Sequence, residues 1–270
     1  MKAIHHGDIR MTRRPAVTLI EVLVAMFIMA IGMLALLTLF PLGAVSMAQA
    51  LKDDRCASTA AMAENVATAM NIRHDASVAG GFAGSTMVFV DPNGAIQGLP
   101  ALGGVIPRVS PSFVGNSQPL ADRWFSLPDD MTFLENGTPD TTSGFIDRGR
   151  RYSFAYLLAR PQATSDNMIE LTVVVYSGRP VGALSPESTQ TATGTAGANG
   201  IVVNAAGINL KRGGWVLDPV NGYFYRVTNI AESGGSTVLD VQPNVRANLG
   251  AVTIMEDVAE VFDKGSGWQP

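Results

Sequence analysis

Charged residues are unevenly distributed, and this divides the chain into two parts. Residues 22–51 contain no Asp, Glu, Lys or Arg. An α-helix rises 1.5 Å per residue, so as a helix this run is about 45 Å long, more than the roughly 30 Å hydrocarbon core of a bilayer requires. From Leu51 onward, apolar positions and a polar face follow helical spacing. The pattern predicts one extended helix from Val17 to about Ile72, whose first half spans a membrane and whose second half lies on a β-sheet.

Beyond this helix, the pattern changes to short apolar segments typical of β-strands. Residues 85–90, 152–159 and 168–176 are predicted strands, and Asp91-Pro92-Asn93-Gly94 predicts a turn after the first of them. Residues 182–200 are mainly small and include no aromatic residue, which indicates a flexible loop. Further strands are predicted at 201–203, 214–217, 223–230, 237–241, 252–255 and 258–262. These last segments predict a β-meander or a small barrel.

The whole pattern predicts an α+β fold, in which a long and partly transmembrane N-terminal α-helix packs on a β-rich globular head. We expect residues 17–51 to form the transmembrane half of the helix and residues 52–76 an amphipathic stem. Residues 77–270 then form the head, with 201–270 as a candidate subdomain. Residues 1–16 are basic, because four Lys or Arg residues are opposed by one Asp. By the positive-inside rule, this segment stays cytoplasmic and the head is exported.

Composition narrows the function classes further. The formal net charge is −4, so no nucleic acid is expected as a general partner. The single cysteine, Cys56, excludes an intrachain disulfide and is predicted to be a small buried residue. The sequence contains no G-x-S-x-G, no H-E-x-x-H and no phosphate-binding Gly-Lys-Ser/Thr motif. We therefore predict no enzyme activity, no catalytic residue and no cofactor.

Two pairs of residues are the best candidates for oxygen ligands of calcium. Asp129 with Asp130, and Asp218 with Asn221, lie in segments rich in turn residues. The alternative is that these aspartates form turns at the surface. We predict no metal site at either pair.

Glu21 stands at the head of the apolar run, where a charge requires an explanation. A charge inside the hydrocarbon region costs roughly 2.5 kcal/mol or more. One explanation is an interfacial glutamate that reaches the lipid headgroups. A cleaved secretory signal would have a shorter apolar region, and a plain single-pass anchor gains nothing from a carboxylate.

The segment VTLIEVLVA, residues 17–25, resembles the N-terminal signature of type IV pilins and of the pseudopilins of type II secretion. In that family, a prepilin peptidase removes a basic leader at the cytoplasmic face, and the new N-terminus is usually methylated. The resemblance implies cleavage between Ala16 and Val17, with Val17 as the methylated residue and Glu21 as the fifth mature residue. The family usually has glycine before the cut and often phenylalanine after it, where this chain has Ala16 and Val17.

Two residues of the helix are thereby assigned roles. A buried ammonium is costly unless it is paired. In a filament, the Glu21 carboxylate would pair with the α-amino group of Val17, in its own chain or in a neighbour, and set the axial register between subunits. Pro41 removes a backbone donor, so a kink or local loss of helix is expected there. The alternative is that the membrane helix ends at Pro41.

The resemblance implies a structural subunit of a type IV pilus or a type II secretion-like filament. The alanine-rich stem and the start of the apolar run resemble minor pilins more than a major pilin. The expected partners are the prepilin peptidase, other pilin or pseudopilin subunits, the inner-membrane assembly platform and membrane lipid. We expect a single-pass inner-membrane protein with a periplasmic head, which enters a pilus or pseudopilus on assembly. The alternative is a membrane-anchored periplasmic binding or envelope protein without a filament role.

Overall fold

The long N-terminal helix is present in the computed structural model, which describes residues 18–160, 168–179 and 187–266. Helix α1 spans Leu19–Ala69. The chain forms two compact units, divided between Lys52 and Asp53. In the first unit, every described side chain is exposed.

Pro41 lies inside α1, and the helix continues on both sides of it. A local loss of helix at Pro41, or an end of the helix there, is therefore wrong as a prediction. Proline removes one backbone donor, but the helical turns on both sides keep their own hydrogen bonds and hold the segment in the helix. A bend of the helix axis at Pro41 stays a prediction.

After α1, the described residues of the second unit contain one 3₁₀ turn, three short α-helices and eleven strands. In chain order they are a 3₁₀ turn Ile72–His74, α2 Ala76–Gly81, β1 Met87–Val90, α3 Pro92–Ile96, β2 Arg108–Val109, α4 Gln118–Trp124, β3 Tyr152–Ala159, β4 Glu170–Ser177, β5 Glu187–Gly194, β6 Gly200–Val203, β7 Trp215–Leu217, β8 Phe224–Ser233, β9 Ser236–Gln242, β10 Leu249–Met255 and β11 Val258–Gly265. The long apolar helix followed by a β-rich head confirms the predicted α+β class.

Five strands form a sheet in the order β11-β4-β3-β1-β2, with β1 and β2 parallel and the other neighbours antiparallel. The end of α1 packs on this sheet through small side chains. Its buried residues recur at helical spacing: Cys56, Thr59, Ala60, Ala63, Val66 and Ala67. The Tyr156 hydroxyl of β3 donates a hydrogen bond of 2.6 Å to the Ala63 carbonyl and so joins the sheet to the helix. The predicted packing of the stem on a sheet is confirmed.

Both faces of the sheet are buried. Val88 and Tyr156 belong to the core shared with α1, whereas Phe89 and Leu157, one position along each strand, pack with a second core that includes Trp215. Strands covered on both faces carry continuous apolar runs instead of strict alternation. This accounts for the three consecutive valines of β4, which are all buried.

Strands β5 to β10 close into a barrel in the order β10-β5-β6-β9-β8-β7. Of the two predicted forms, a small barrel is present, but it includes β5 from the predicted loop and excludes the last predicted strand, β11. Its interior is a third apolar core that includes Tyr225 and Leu239. The chain then leaves the barrel and returns to the sheet as β11, beside β4.

Two local predictions are wrong. Within the predicted flexible loop, residues 187–194 form β5, which pairs with β6 and β10; residues 182–186 lie outside the described residues. The polar sequence of β5 has no apolar alternation, and Ala192 is its one buried apolar residue. The predicted turn after β1 is helix α3, because the Asp91 carboxylate accepts a hydrogen bond of 3.1 Å from the Gly94 N–H and caps the helix.

Candidate functional site

The first candidate site is the start of α1. The Thr18 carbonyl accepts hydrogen bonds from the backbone N–H groups of Glu21, at 3.0 Å, and Val22, at 3.3 Å. Glu21 therefore lies in the first helical turn. Free N–H groups at a helix N-terminus favour a negative charge, so a carboxylate here stabilises the turn. Because the Glu21 side chain is exposed, a cation outside the helix can reach it.

The apolar side chains on both sides of Glu21, from Leu19 to Leu51, are also exposed. At the two ends of this surface, Leu19 retains 80% and Leu51 55% of its accessible area. In the part of the chain that the structure describes, α1 is the one helix with the length and composition to cross a membrane. Lipid or other apolar helices can cover such a surface, whereas water cannot do so favourably.

The predicted cut between Ala16 and Val17 lies outside the described residues. The structure thus places Glu21 without placing the amine that it is predicted to pair with. The cleavage site, the methylated residue and the register role of Glu21 stay predictions.

The second candidate site is a buried ionic cluster in the head, which we did not predict from the sequence. Arg179 donates two hydrogen bonds of 2.7 Å, one to each carboxylate oxygen of Asp91. Arg108 also pairs with Asp91 and donates a hydrogen bond of 2.9 Å to Glu187. The Tyr176 hydroxyl donates to the other oxygen of Glu187 at 3.1 Å. The two positive charges of the guanidinium groups therefore neutralise the two negative charges of the carboxylates inside the protein.

The four charged residues of this cluster come from different elements. Asp91 precedes α3, Arg108 begins β2, Arg179 follows β4 and Glu187 begins β5. The cluster therefore joins the five-stranded sheet to the barrel. Gly94 lies against the cluster, where an added Cβ would collide with the Asp91 carboxylate and the Arg108 guanidinium.

The surroundings of Asp91 keep its carboxylate ionised. Burial alone would raise the pKa of Asp91, but the charges of Arg179 and Arg108 and a hydrogen bond from Gly94 lower it to about 2. Burial acts to lower the pKa of Arg179, yet Asp91 and Glu187 raise it above its ordinary value. Asp91 and its arginine partners thus stay charged at neutral pH. Groups that do not exchange protons near neutral pH suit a structural role better than acid–base catalysis.

A pocket of about 410 Å³ lies beside the cluster. Residues 100–104 line it together with Arg108, Glu187 and Thr189. Both charged side chains of its wall already pair within the cluster. The pocket therefore offers a ligand no uncompensated charge from these two residues.

The calcium-ligand candidates have protein partners. Asp129 pairs with Arg55, and Asp130 accepts a backbone hydrogen bond. The Asp218 carboxylate accepts a hydrogen bond of 2.7 Å from the side-chain amide of Asn221. Within residues 18–160, 168–179 and 187–266, no three His, Cys, Asp or Glu side chains are grouped to hold a metal ion. In this structure, the four residues serve turns and ion pairs.

Comparison with protein families identifies the N-terminal segment. Residues 11–37 match a family model described as the prokaryotic N-terminal methylation motif. A comparison with curated proteins gave no match. The matched residues include Ala16, Val17 and Glu21, and they extend into the exposed apolar part of α1. This motif is the type IV pilin and pseudopilin signature, and with the long helix behind it, it supports a type IV pilin-like protein.

Proposed function

We propose that the protein is a structural minor pilin or pseudopilin subunit of a type IV pilus or a type II secretion-like filament. The observation that carries this proposal is the methylation motif over residues 11–37, which leads directly into the exposed apolar part of α1. Proteins with this motif are structural rather than enzymatic, and the paired, non-titrating charges of the head agree with that role.

The apolar surface of α1 suits a subunit that moves from the membrane into a filament. Its apolar surface suits lipid before assembly and the helices of other subunits after assembly. A plain anchor needs only the first of these environments. Among the helices of other subunits, Glu21 would neutralise the α-amino group that cleavage creates at Val17, and this explains a carboxylate in the first turn.

The proposal includes a topology and a set of partners. The leader, residues 1–16, lies in the cytoplasm, residues 17–51 cross the inner membrane, and the stem and head, residues 52–76 and 77–270, are periplasmic. The prepilin peptidase cuts between Ala16 and Val17. The inner-membrane assembly platform then adds the mature chain to other pilin or pseudopilin subunits.

The first prediction is that the chain recovered from membranes lacks its first sixteen residues and begins with a methylated Val17. The full-length chain is expressed and the protein is purified from membranes. Its intact mass then shows both the loss of the leader and the added methyl group. A peptidase that accepts a small residue before the cut should reject a bulky one, so Ala16→Leu should retain the leader. Thr12→Leu is the matched control, because it adds similar bulk inside the leader and away from the cut.

A chain that keeps Met1 and its whole leader in cells with an active prepilin peptidase would contradict the proposal. That result favours a membrane-anchored periplasmic binding or envelope protein. Normal maturation of Ala16→Leu would show instead that the cut lies at another position.

A further inference from the structure

A loop of the head exposes an unusual group of large apolar side chains. The residues are Met131, Phe133, Leu134, Phe145 and Ile146, with 38% to 58% of their accessible area exposed. Elsewhere in the described part of the second unit, large apolar side chains with this exposure are scattered singly along the chain, as at Val105 and Val220. Single exposed apolar residues are ordinary, whereas several on one segment mark an interaction surface. We call residues 131–146 the apolar loop.

Backbone hydrogen bonds hold the apolar loop in one conformation. Thr132 donates to the Asp147 carbonyl at 3.0 Å and accepts from the Asp140 N–H at 2.9 Å. A further hydrogen bond of 2.9 Å joins the Leu134 N–H to the Thr138 carbonyl. These contacts set the segments beside Phe133 and Ile146 next to each other. The apolar side chains are therefore presented by an ordered loop and do not result from an extended, unpaired segment.

The apolar loop itself carries only acidic charges. From Ser126 to Asp147 the chain contains five acidic residues and no Lys or Arg, and the Arg123 guanidinium lies 5.6 Å from the centroid of the Phe145 ring. Asp129 pairs with Arg55. Glu135 and Asp140, inside the apolar loop, form no salt bridge with the described residues. The loop thus combines an apolar surface with two carboxylates that form no salt bridge within the described residues.

This combination argues against two occupants. Anionic headgroups repel carboxylates, so Glu135 and Asp140 oppose contact of the loop with such a membrane. A second copy of this chain, docked loop against loop, would bring Glu135 and Asp140 of both copies together. Nor does the rest of the described head offer a second copy a complementary apolar surface, because its other exposed apolar residues are single.

We propose that the apolar loop docks into an apolar groove, bordered by Lys or Arg, on the head of a different subunit of the same filament. This inference rests on the proposed function. The five apolar side chains would supply the buried centre of the contact, and Glu135 and Asp140 would pair with the basic border. Apolar anchors surrounded by complementary charges give such contacts their affinity and their choice of partner.

Site-specific photocrosslinking of the full-length chain in filament-producing cells tests the proposal. A photoreactive phenylalanine analogue replaces Phe133, and a matched control carries it at Val220, which is 67% exposed and distant in sequence from the loop. The expected adduct at Phe133 joins another subunit with an N-terminal methylation motif, at a peptide that contains apolar residues and Lys or Arg. The analogue at Val220 should give at least about tenfold less of this adduct.

Two double variants give an independent measurement. Phe133→Ser with Ile146→Ser, and Glu135→Lys with Asp140→Lys, should each reduce recovery of the chain with the filament by about tenfold or more, whereas Val220→Ser should not. Equal thermal unfolding midpoints show that the variants fold. The inference is overturned if unsubstituted chain is recovered with the filament while both double variants incorporate equally, or if the Phe133 adduct contains lipid or a second copy of this chain. Absence of the unsubstituted chain from the filament overturns the proposed function itself.

Discussion

Glu21 is the one acidic side chain among the exposed residues 19–51 of α1. Its carboxylate lies in the first turn, within reach of a cation outside its own helix. If the Glu21 carboxylate neutralises the amine of Val17 inside a filament, its role in assembly depends on this one negative charge. Changes at this single residue therefore separate anchoring from assembly.

We expect Glu21→Ala to insert into the membrane and to be cleaved, but not to assemble. Losing one partner of a buried pair costs on the order of 3–5 kcal/mol, because the remaining charge is left uncompensated. Glu21→Gln keeps a hydrogen-bonding group of similar shape and should show an intermediate defect. Co-purification with the filament, scored beside abundance in the membrane, measures the effect.

Thr38→Ala provides a matched control, because it removes a polar group from the same apolar segment, where the Thr38 hydroxyl bonds only within its own helix. It should assemble normally. Incorporation of Glu21→Ala at the unsubstituted level, with equal membrane abundance, would remove the register role and favour the interfacial explanation of this glutamate.

At the scale of the elements, the buried ionic cluster links the end of β1, the start of β2, the end of β4 and the start of β5. Asp91 lies between both arginines, and its removal leaves Arg108 and Arg179 facing Glu187. A buried ion pair is costly to break because the surviving charge is already out of water. The link between sheet and barrel therefore depends on this aspartate.

Asp91→Asn should lower the free energy of unfolding by about 3–5 kcal/mol. The pKa of Asp91 is about 2 in the folded protein and 3.8 ordinarily, so its stabilisation is present above about pH 4 and is lost as the pH falls toward 2. This difference is equivalent to about 2 kcal/mol. Urea unfolding of the full chain in detergent, followed by tryptophan fluorescence across this pH range, measures both effects.

Asp129→Asn is the matched control, because the Asp129–Arg55 pair is exposed on both sides. Exposed pairs contribute little to stability, so this variant should unfold like the unsubstituted chain. If Asp91→Asn has the same stability and the same loss between pH 4 and 2 as the unsubstituted chain, the cluster does not hold the sheet to the barrel.

Elements with a strong local pattern could be predicted from the sequence. The uncharged run predicted α1, and continuous apolar segments predicted β3 and β4. Strand β5 could not be predicted in this way, because barrel closure rather than an apolar pattern fixes it. The ionic cluster was equally inaccessible, since Asp91 and Arg179 are 88 residues apart and only the fold brings them together. Helix α3 had a readable signal in its Asp91 cap and Pro92, which the prediction of a turn overlooked.

At the scale of the whole molecule, the second unit contains all three apolar cores, and its buried part of α1 begins at Cys56. The first unit supplies no buried residue among those described. Folding of the head should therefore be independent of the membrane segment.

A chain that begins at Asp53 should be soluble and fold by itself. Circular dichroism should show mixed helix and strand, with a cooperative thermal transition. A chain that begins at Ala76 is the control, because it lacks the buried face of α1 and opens the core between helix and sheet, so its transition should be lost. A disordered chain from Asp53 would show that the head requires other subunits in order to fold.

The return of β11 to the sheet has a mechanical consequence. The chain leaves the sheet after Ser177 and re-enters it at Val258, and the Ser177 N–H donates a hydrogen bond of 2.8 Å to the Asp257 carbonyl. The two ends of the barrel segment are thus tied together where β4 and β11 pair. Tension applied between α1 and the end of β11 is therefore expected to act first on the hydrogen bonds between β4 and β11. The backbone of the barrel segment becomes part of the stretched chain only after those hydrogen bonds break.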